Sequence, residues 1–334
     1  MKNGIAFAGN LVADTVKLLD AWPEKGMLCN ITDMSQGVGG LAANTTADVA
    51  IIDPSVPLYC IGLLGDDANG AFIRGTLDRL GIDTAGVQTI PGGVTSFTDV
   101  MTLKGSGERT FFHARGVTAQ FGPEHIDLDR MTADLLHLGY AMLLDRFDAP
   151  DPEYGTVMAR TLAAAQARGI KTSIDVVSDS TGKFERVVTP SLRYCDYIIL
   201  NEVESSLVTH IAVRDSEGRI LENNIRDICR TMFSLGVSTL VAIHAPEGGW
   251  CMDKSGAFFA EPSVDVPPGY IKGKVGAGDA FCAGMLYGIY KGWDCPTCLR
   301  FGGAAAAANM SEPDSISGMK PAAECWAIEA QFRK

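Results

Sequence analysis

Gly276-Ala277-Gly278-Asp279 leads directly into Ala280-Phe281 and an apolar stretch over 282–290, so a short glycine-rich turn opens a helix. Glycines at such a junction let backbone N–H groups turn toward an anion, and the helix N-terminus adds about half a positive charge. A carboxylate in the first turn, Asp279, would stand beside a bound phosphate, where it can take the proton of an attacking alcohol. Taken alone, the same aspartate would serve equally well as a helix cap. In the N-terminal half, Gly39-Gly40-Leu41-Ala42-Ala43-Asn44 joins two glycines that permit close backbone approach to an amide about one turn farther on. That amide can both donate to and accept from hydroxyl groups, or can face solvent. Asn201-Glu202-Val203-Glu204 follows an apolar run ending at Leu200. Its oxygens suit Mg²⁺, usually held through retained waters, although four such residues alone read as a solvated helix start.

These groups need a frame to position them. Apolar runs compatible with buried parallel strands recur at Ile5–Ala8, Leu58–Leu63, Leu135–Leu138, Thr172–Ile174, Tyr197–Leu200 and Leu240–Ile243. Between them, Asn69–Leu80, Tyr154–Ala167 and Ile225–Leu235 carry apolar residues at three- and four-residue spacing and predict helices. Alternating strands and helices imply a doubly wound α/β layer. Two stretches, 12–36 and 92–115, break the rhythm. Thr95–Leu103 and Thr110–His113 are short and β-prone, separated by the turn 104–107, and predict a small separate sheet inserted into a single 334-residue domain.

Composition narrows the function classes. With 46% hydrophobic residues the chain can bury a large core, and a formal net charge of −12 repels phosphate backbones and anionic lipid surfaces. Nucleic-acid and membrane roles are therefore not expected. The opening residues are too soon interrupted by Gly9-Asn10 for a signal peptide, and a cytoplasmic location is expected. The nine scattered cysteines do not form a disulfide framework, and Cys295-Pro296-Thr297-Cys298 is a lone CxxC read as packing. Gly37-Val38-Gly39-Gly40 lacks the spacing of a dinucleotide-binding turn.

The motifs together resemble the PfkB, ribokinase-like family of carbohydrate kinases, whose signature runs Asp-Thr-Thr-Gly-Ala-Gly-Asp-Ala-Phe; six residues match from Gly276 to Phe281. The resemblance implies a three-layer α/β/α sandwich with a central, mostly parallel sheet and a small β-sheet lid. It implies a catalytic turn opening at Gly276, with an anion hole from the amides around Ala277, Gly278 and Asp279, Asp279 as catalytic base, ATP as donor and Mg²⁺ near Glu204. Asp14, Gly39, Gly40 and Asn44 would bind the sugar, and Gly62–Gly70 would open the next helix, its glycines and Asp66 mainly structural. Arg115, in Glu108–Gly116, would contact the substrate or the transferring phosphate. Phe111 or Phe112 would cover the sugar; these aromatics would otherwise pack the small sheet. Asn201, Glu204, Gly248, Gly249 and Asn309 would serve the nucleotide, and relatives often pair as homodimers through the lid.

The chain also departs from that pattern. Gly273-Lys274-Val275 replaces the acidic Asp-Thr-Thr that helps build a monovalent-cation site in many relatives, so potassium activation stays open. Lys274, aided by Lys272, could supply that positive charge; both could equally be surface residues. His244-Ala245-Pro246-Glu247-Gly248-Gly249 replaces the usual Leu-Gly-x-x-Gly, with the later glycines left to form the loop over the nucleotide. A nucleoside kinase and a non-catalytic sugar-binding regulator are the alternative functions. Fructose and ribose are the first candidate acceptors by resemblance, and the acceptor's identity is not readable from the chain.

Overall fold

The computed structural model describes residues 3–105, 108–177 and 182–333; Ser106 and Gly107 of the expected 104–107 turn lie outside the described residues. The chain opens with β1 (Ile5–Gly9), β2 (Val12–Leu19), β3 (Ile31–Gly39), α1 (Leu41–Ile52), β4 (Leu58–Gly65), α2 (Ala68–Arg79) and β5 (Asp83–Ile90). Next come β6 (Ser96–Leu103), β7 (Arg109–Ala114), β8 (Leu135–Ala141), the two-residue strands β9 (Pro150–Asp151) and β10 (Gly155–Thr156), α3 (Val157–Ala167) and β11 (Lys171–Val176). Two short helices, α4 (Phe184–Val187) and α5 (Thr189–Leu192), lead to β12 (Tyr197–Asn201), α6 (Glu202–Thr209), α7 (Glu222–Leu235) and β13 (Leu240–Ala245). β14 (Gly248–Asp253), β15 (Phe258–Pro262), α8 (Ala277–Tyr290), α9 (Cys295–Asn309) and α10 (Ala322–Phe332) complete the order.

The large sheet runs β15-β14-β13-β12-β11-β8-β1-β4-β5. Seven of its strands, β5 to β13 in that order, are parallel, and β14 and β15 are added antiparallel at one edge. The parallel strands are apolar on both faces because helices cover both. In β1, Ile5 and Phe7 enter a core shared with α1, α8 and α9, whereas Ala6 and Ala8 face a second core shared with α3 and α7. α7 shows the one-sided pattern of a covering helix, burying Ile225, Ile228, Cys229 and Met232. The result is a three-layer α/β/α sandwich.

A second sheet, β3-β2-β6-β7, forms from the two stretches that break the α/β rhythm. β2 pairs parallel with β6, while β3 and β7 flank them antiparallel. Two local expectations are corrected. The helix expected over 154–167 begins at Val157, because Gly155-Thr156 pairs with Pro150-Asp151 and the Thr156 hydroxyl accepts from Ala159 N. Gly248-Gly249 is the start of β14 rather than a free loop, since both pair with β13. α2 is capped by Asp67, whose side chain accepts from Gly70 N at 2.8 Å.

Phe301 on α9 is fully buried among Tyr287, Trp293 and Trp326, with ring centroids 5.1–5.4 Å away. Phe301→Ala is expected to cost about 3–5 kcal/mol and to lower the urea midpoint, without opening the site described next. An unchanged midpoint would show that this cluster does not secure α9.

Candidate active site

In an open α/β sheet, ligands bind beyond the carboxyl ends of the strands, where the strand order reverses. Here the chain moves outward from β1 to β4 and β5, then returns to β8 and proceeds the other way, so the reversal lies between β1 and β8. The polar residues at these strand ends converge: Asn10 after β1, Tyr140 in β8, Asp175 in β11, Asn201 in β12 and His244 in β13 all line one cleft of about 430 Å³. The N-terminus of α8 closes its floor, and Phe111 and His113 of the small sheet reach it from above.

Asp279 is buried in the first turn of α8. Asn44 Nδ2 donates to its Oδ2 at 2.7 Å, and Tyr140 Oη donates to its Oδ1 at 2.6 Å. Burial raises the Asp279 pKa, and these two hydrogen bonds oppose the rise. Asp14, also on this cleft, is pushed up to about 6, mainly by burial, with the Thr98 hydrogen bond lowering it and the Asp279 charge raising it. A Cβ on Gly39 would lie 2.2 Å from Asp14 Oδ2, so only glycine lets the carboxylate lie against this backbone. Gly276 has φ 74°, a left-handed conformation that turns the chain into α8, and a Cβ there would meet Ser315 O at 2.7 Å.

A second cleft, of about 400 Å³, adjoins the first and shares Asn201, His244 and Gly278 with it. Gly248, Gly249 and Lys274 line it, and Gly303, Ala306 and Ala307 give it a wall of small residues from α9. Asn201 caps α6, accepting from Val203 N and Glu204 N, while Glu204 Oε2 accepts from Asn201 N at 3.1 Å. The Glu204 and Asp175 carboxylates both border the first cleft, and burial followed by repulsion from Glu204 and Asp279 raises the Asp175 pKa. Repelling carboxylates at a phosphate end are a donor set suited to a hard cation such as Mg²⁺.

The structure brings Asp14, Gly40, Asn44, Glu204, Gly276, Gly278 and Asp279 to one cleft, and Ala277 faces the other. Two assignments are corrected. Arg115 Nη1 is held on Asp145 at 2.6 Å and Arg115 does not line the cleft. Asn309 is wholly buried and donates to Ser315 O at 2.5 Å, so it braces the loop packed against Gly276 instead of lining the second cleft. The two lysines divide: Lys274 lines the second cleft, whereas Lys272 pairs with Glu312 at 2.9 Å. Tyr140, Asp175 and His244 had escaped notice in the sequence. Their signal was position alone, at the ends of runs readable as parallel strands. Among the described residues, no helix is long and apolar enough to cross a membrane.

The family model described as pfkB family carbohydrate kinase matches residues 5–322. The ATP-dependent ribose-1-phosphate kinase of Halopiger xanaduensis is 27% identical over 301 residues, covering 90% of this chain and 89% of that protein. The 5-dehydro-2-deoxygluconokinase of Geobacillus thermodenitrificans is 26% identical over 84% of this chain and 81% of its own. In fold, the chain is similar to Arabidopsis thaliana ribokinase complexed with ribose and ATP, with a TM-score of 0.80, 22% identity, and 98% and 99% of the two chains covered.

The half-buried Asp14 gives a direct check of the site's electrostatics. Its carboxyl is expected to titrate by carbon-13 NMR near pH 6, and Thr98→Val should move the midpoint higher, because the hydrogen bond it removes is a lowering one. A midpoint near the ordinary 3.8 would mean that Asp14 is solvated in this cleft.

Proposed function

This chain belongs to the pfkB family of carbohydrate kinases, and from that premise we propose that it moves the γ-phosphoryl group of ATP onto a hydroxyl of a small, uncharged carbohydrate, with Asp279 as base. The observation that carries the reading is the position of Asp279, buried at the N-terminus of α8 on the acceptor cleft, with Gly278 shared between that cleft and the second. The acceptor would lie against Asp14, Gly40 and Asn44, and the nucleotide would occupy the second cleft. Closure of the small sheet would exclude water. Asp279 takes the hydroxyl proton as the oxygen attacks, its carboxylate aimed by Asn44 and Tyr140. Amides at the start of α8 and the ammonium of Lys274 face the charge that develops on the phosphoryl oxygens. Mg²⁺, when held through water by Glu204 beside Asp175, would supply further charge neutralisation on the phosphates. The 12–36 and 92–115 segments act as the lid of one kinase domain working in the cytoplasm.

The charge of the acceptor follows from the cleft wall. Asp14, Asp175, Glu204 and Asp279 line it, and among its described residues there is no lysine or arginine. A phosphate or carboxylate on the acceptor would enter an acidic site with no cationic side chain to meet it, whereas neutral hydroxyls can donate to these carboxylates. One relative is named for ribose 1-phosphate; the wall seen here argues against an acceptor of that charge.

Mg²⁺-ATP turnover across ribose, fructose, nucleosides, sugar acids and ribose 1-phosphate is expected only with the uncharged acceptors. Asp279→Asn should keep ATP binding but lose at least about a hundredfold in kcat, as expected when a general base is removed. Near-normal kcat in that variant would remove Asp279 from the chemistry; turnover confined to anionic acceptors would overturn the charge argument.

The lid also carries apolar side chains on its surface, including Met34 at 64% and Ile31 at 52% exposure, with Met27 and Leu28 in the β2–β3 connection more exposed still. Their burial against a second copy of the lid would make a homodimer. Light scattering should give twice the chain mass, and Met34→Glu should halve it; a monomeric wild type at micromolar concentration would contradict this.

A further inference from the structure

We propose that His137, Asp175 and Cys282 form a three-ligand site for a borderline-soft divalent ion such as Zn²⁺, at the floor of the acceptor cleft. One donor atom from each lies within 4.8 Å of the others, and Cys282 Sγ is 3.6 Å from His137 Nε2. Donors bound tetrahedrally to one zinc ion lie about 3.5 Å apart, so the nitrogen–sulfur pair already has the required spacing and the carboxylate needs a shift on the order of 1 Å.

The backbone explains the convergence. β8 and β11 pair with His137 opposite Ser173, and Asp175 lies two residues farther along, on the same face of the sheet. α8 covers that face, and Cys282 follows Asp279 by three residues, on the same side of the helix. His137 is completely buried, and Nε2 is the ring nitrogen that meets Cys282 Sγ. Asp175 and Cys282 both line the cleft, which supplies a path for entry and room for water in a fourth position.

The donor set separates this ion from Mg²⁺, which prefers oxygen ligands; a thiolate selects Zn²⁺ or Co²⁺. On binding, Cys282 releases its proton to solvent and its sulfur bonds to the metal as thiolate. The bound dication would sit one helical turn from Asp279, among carboxylates whose mutual repulsion it relieves. It would weaken Asp279 as a base, so Zn²⁺ would inhibit phosphoryl transfer. The inhibition rests on the proposed kinase reaction; the binding site does not.

The first measurement is a Co²⁺ titration of chelator-treated, reduced full-length protein. One equivalent should produce a near-ultraviolet thiolate-to-cobalt band and the visible bands of a tetrahedral site. Both should be lost in Cys282→Ala and weakened in Asp175→Asn, and retained in Cys295→Ala, since Cys295 contacts Cys251 and offers the competing thiol pair. No thiolate band in the wild type, or a band that follows Cys295, would overturn the proposal. If Cys282→Ala does not fold by circular dichroism, the Asp175→Asn spectrum decides. In saturating Mg²⁺-ATP and acceptor, Zn²⁺ should inhibit Cys282→Ala at least about tenfold more weakly than wild type, each relative to its own zinc-free rate. Cobalt bands without any turnover would leave the metal site standing and count against the kinase reading alone.

Discussion

A carboxylate kept out of water at the start of a helix is the constraint on which the arrangement depends. Burial disfavours the charged form of Asp279, and the two donors that oppose this come from far along the chain: Asn44 is 235 residues away and Tyr140 is 139. Hydrogen bonds to charged groups contribute about 1.5–3 kcal/mol each, and more is lost when a buried partner is left unpaired. These two bonds therefore tie α1, β8 and α8 to one another at the site itself. Gly39 and Gly276 serve the same end, letting backbone approach Asp14 and turn into α8 where a side chain would not fit.

The site concentrates negative charge well beyond what one base needs. Asp48, fully buried in α1 with neither oxygen hydrogen-bonded, also has a raised pKa, through burial and then the charges of Asp279 and Asp314. Each raised carboxyl binds its proton more tightly in the folded chain than in the unfolded one. Its contribution to stability is full below the unfolded pKa and falls as pH rises through the folded value, for Asp14 from about 3.8 to about 6. The fold thus bears an electrostatic cost at neutral pH that bound cations and hydroxyl donors reduce, a cost expected at functional sites more than in structural cores.

Much of the sandwich was legible because parallel strands covered on both faces are short apolar runs, and α7 carries a one-sided helical pattern. The turn opening α8 and the approach at Gly39-Gly40 were legible because their glycines answer a local backbone need. Tyr140, Asp175 and His244 were not, since a single residue at a strand end has no pattern until the sheet order is known. Arg115 and Asn309 misled for a related reason. Each lies close in sequence to elements bordering the clefts, but an ion pair with Asp145 and a bond to Ser315 O fix their directions, and neither partner is deducible locally. The β14–β15 edge was hidden because Gly248-Gly249 reads as a turn while pairing as a strand.

The two clefts differ in the density of negative charge across Gly278, and this difference bears on the whole reaction cycle. The second cleft carries Lys274 and the first amides of α8 beside Glu202 and Glu261, whereas the first has four carboxylates and, among its described residues, no lysine or arginine, with a half-buried His244 at the boundary, its pKa lowered to about 4 by burial. An anionic donor therefore meets less repulsion in the second cleft than in the first, which discourages nucleotide from occupying the first. In the proposed reaction an uncharged acceptor becomes an anion within the acidic cleft. Repulsion that was absent on entry then acts on the product, while Asp279, having taken a proton, is neutral only until it returns that proton to solvent. Deprotonation of Asp279 and departure of the phosphorylated product therefore favour one another, so the charge that opposes burial of the site also helps to clear it.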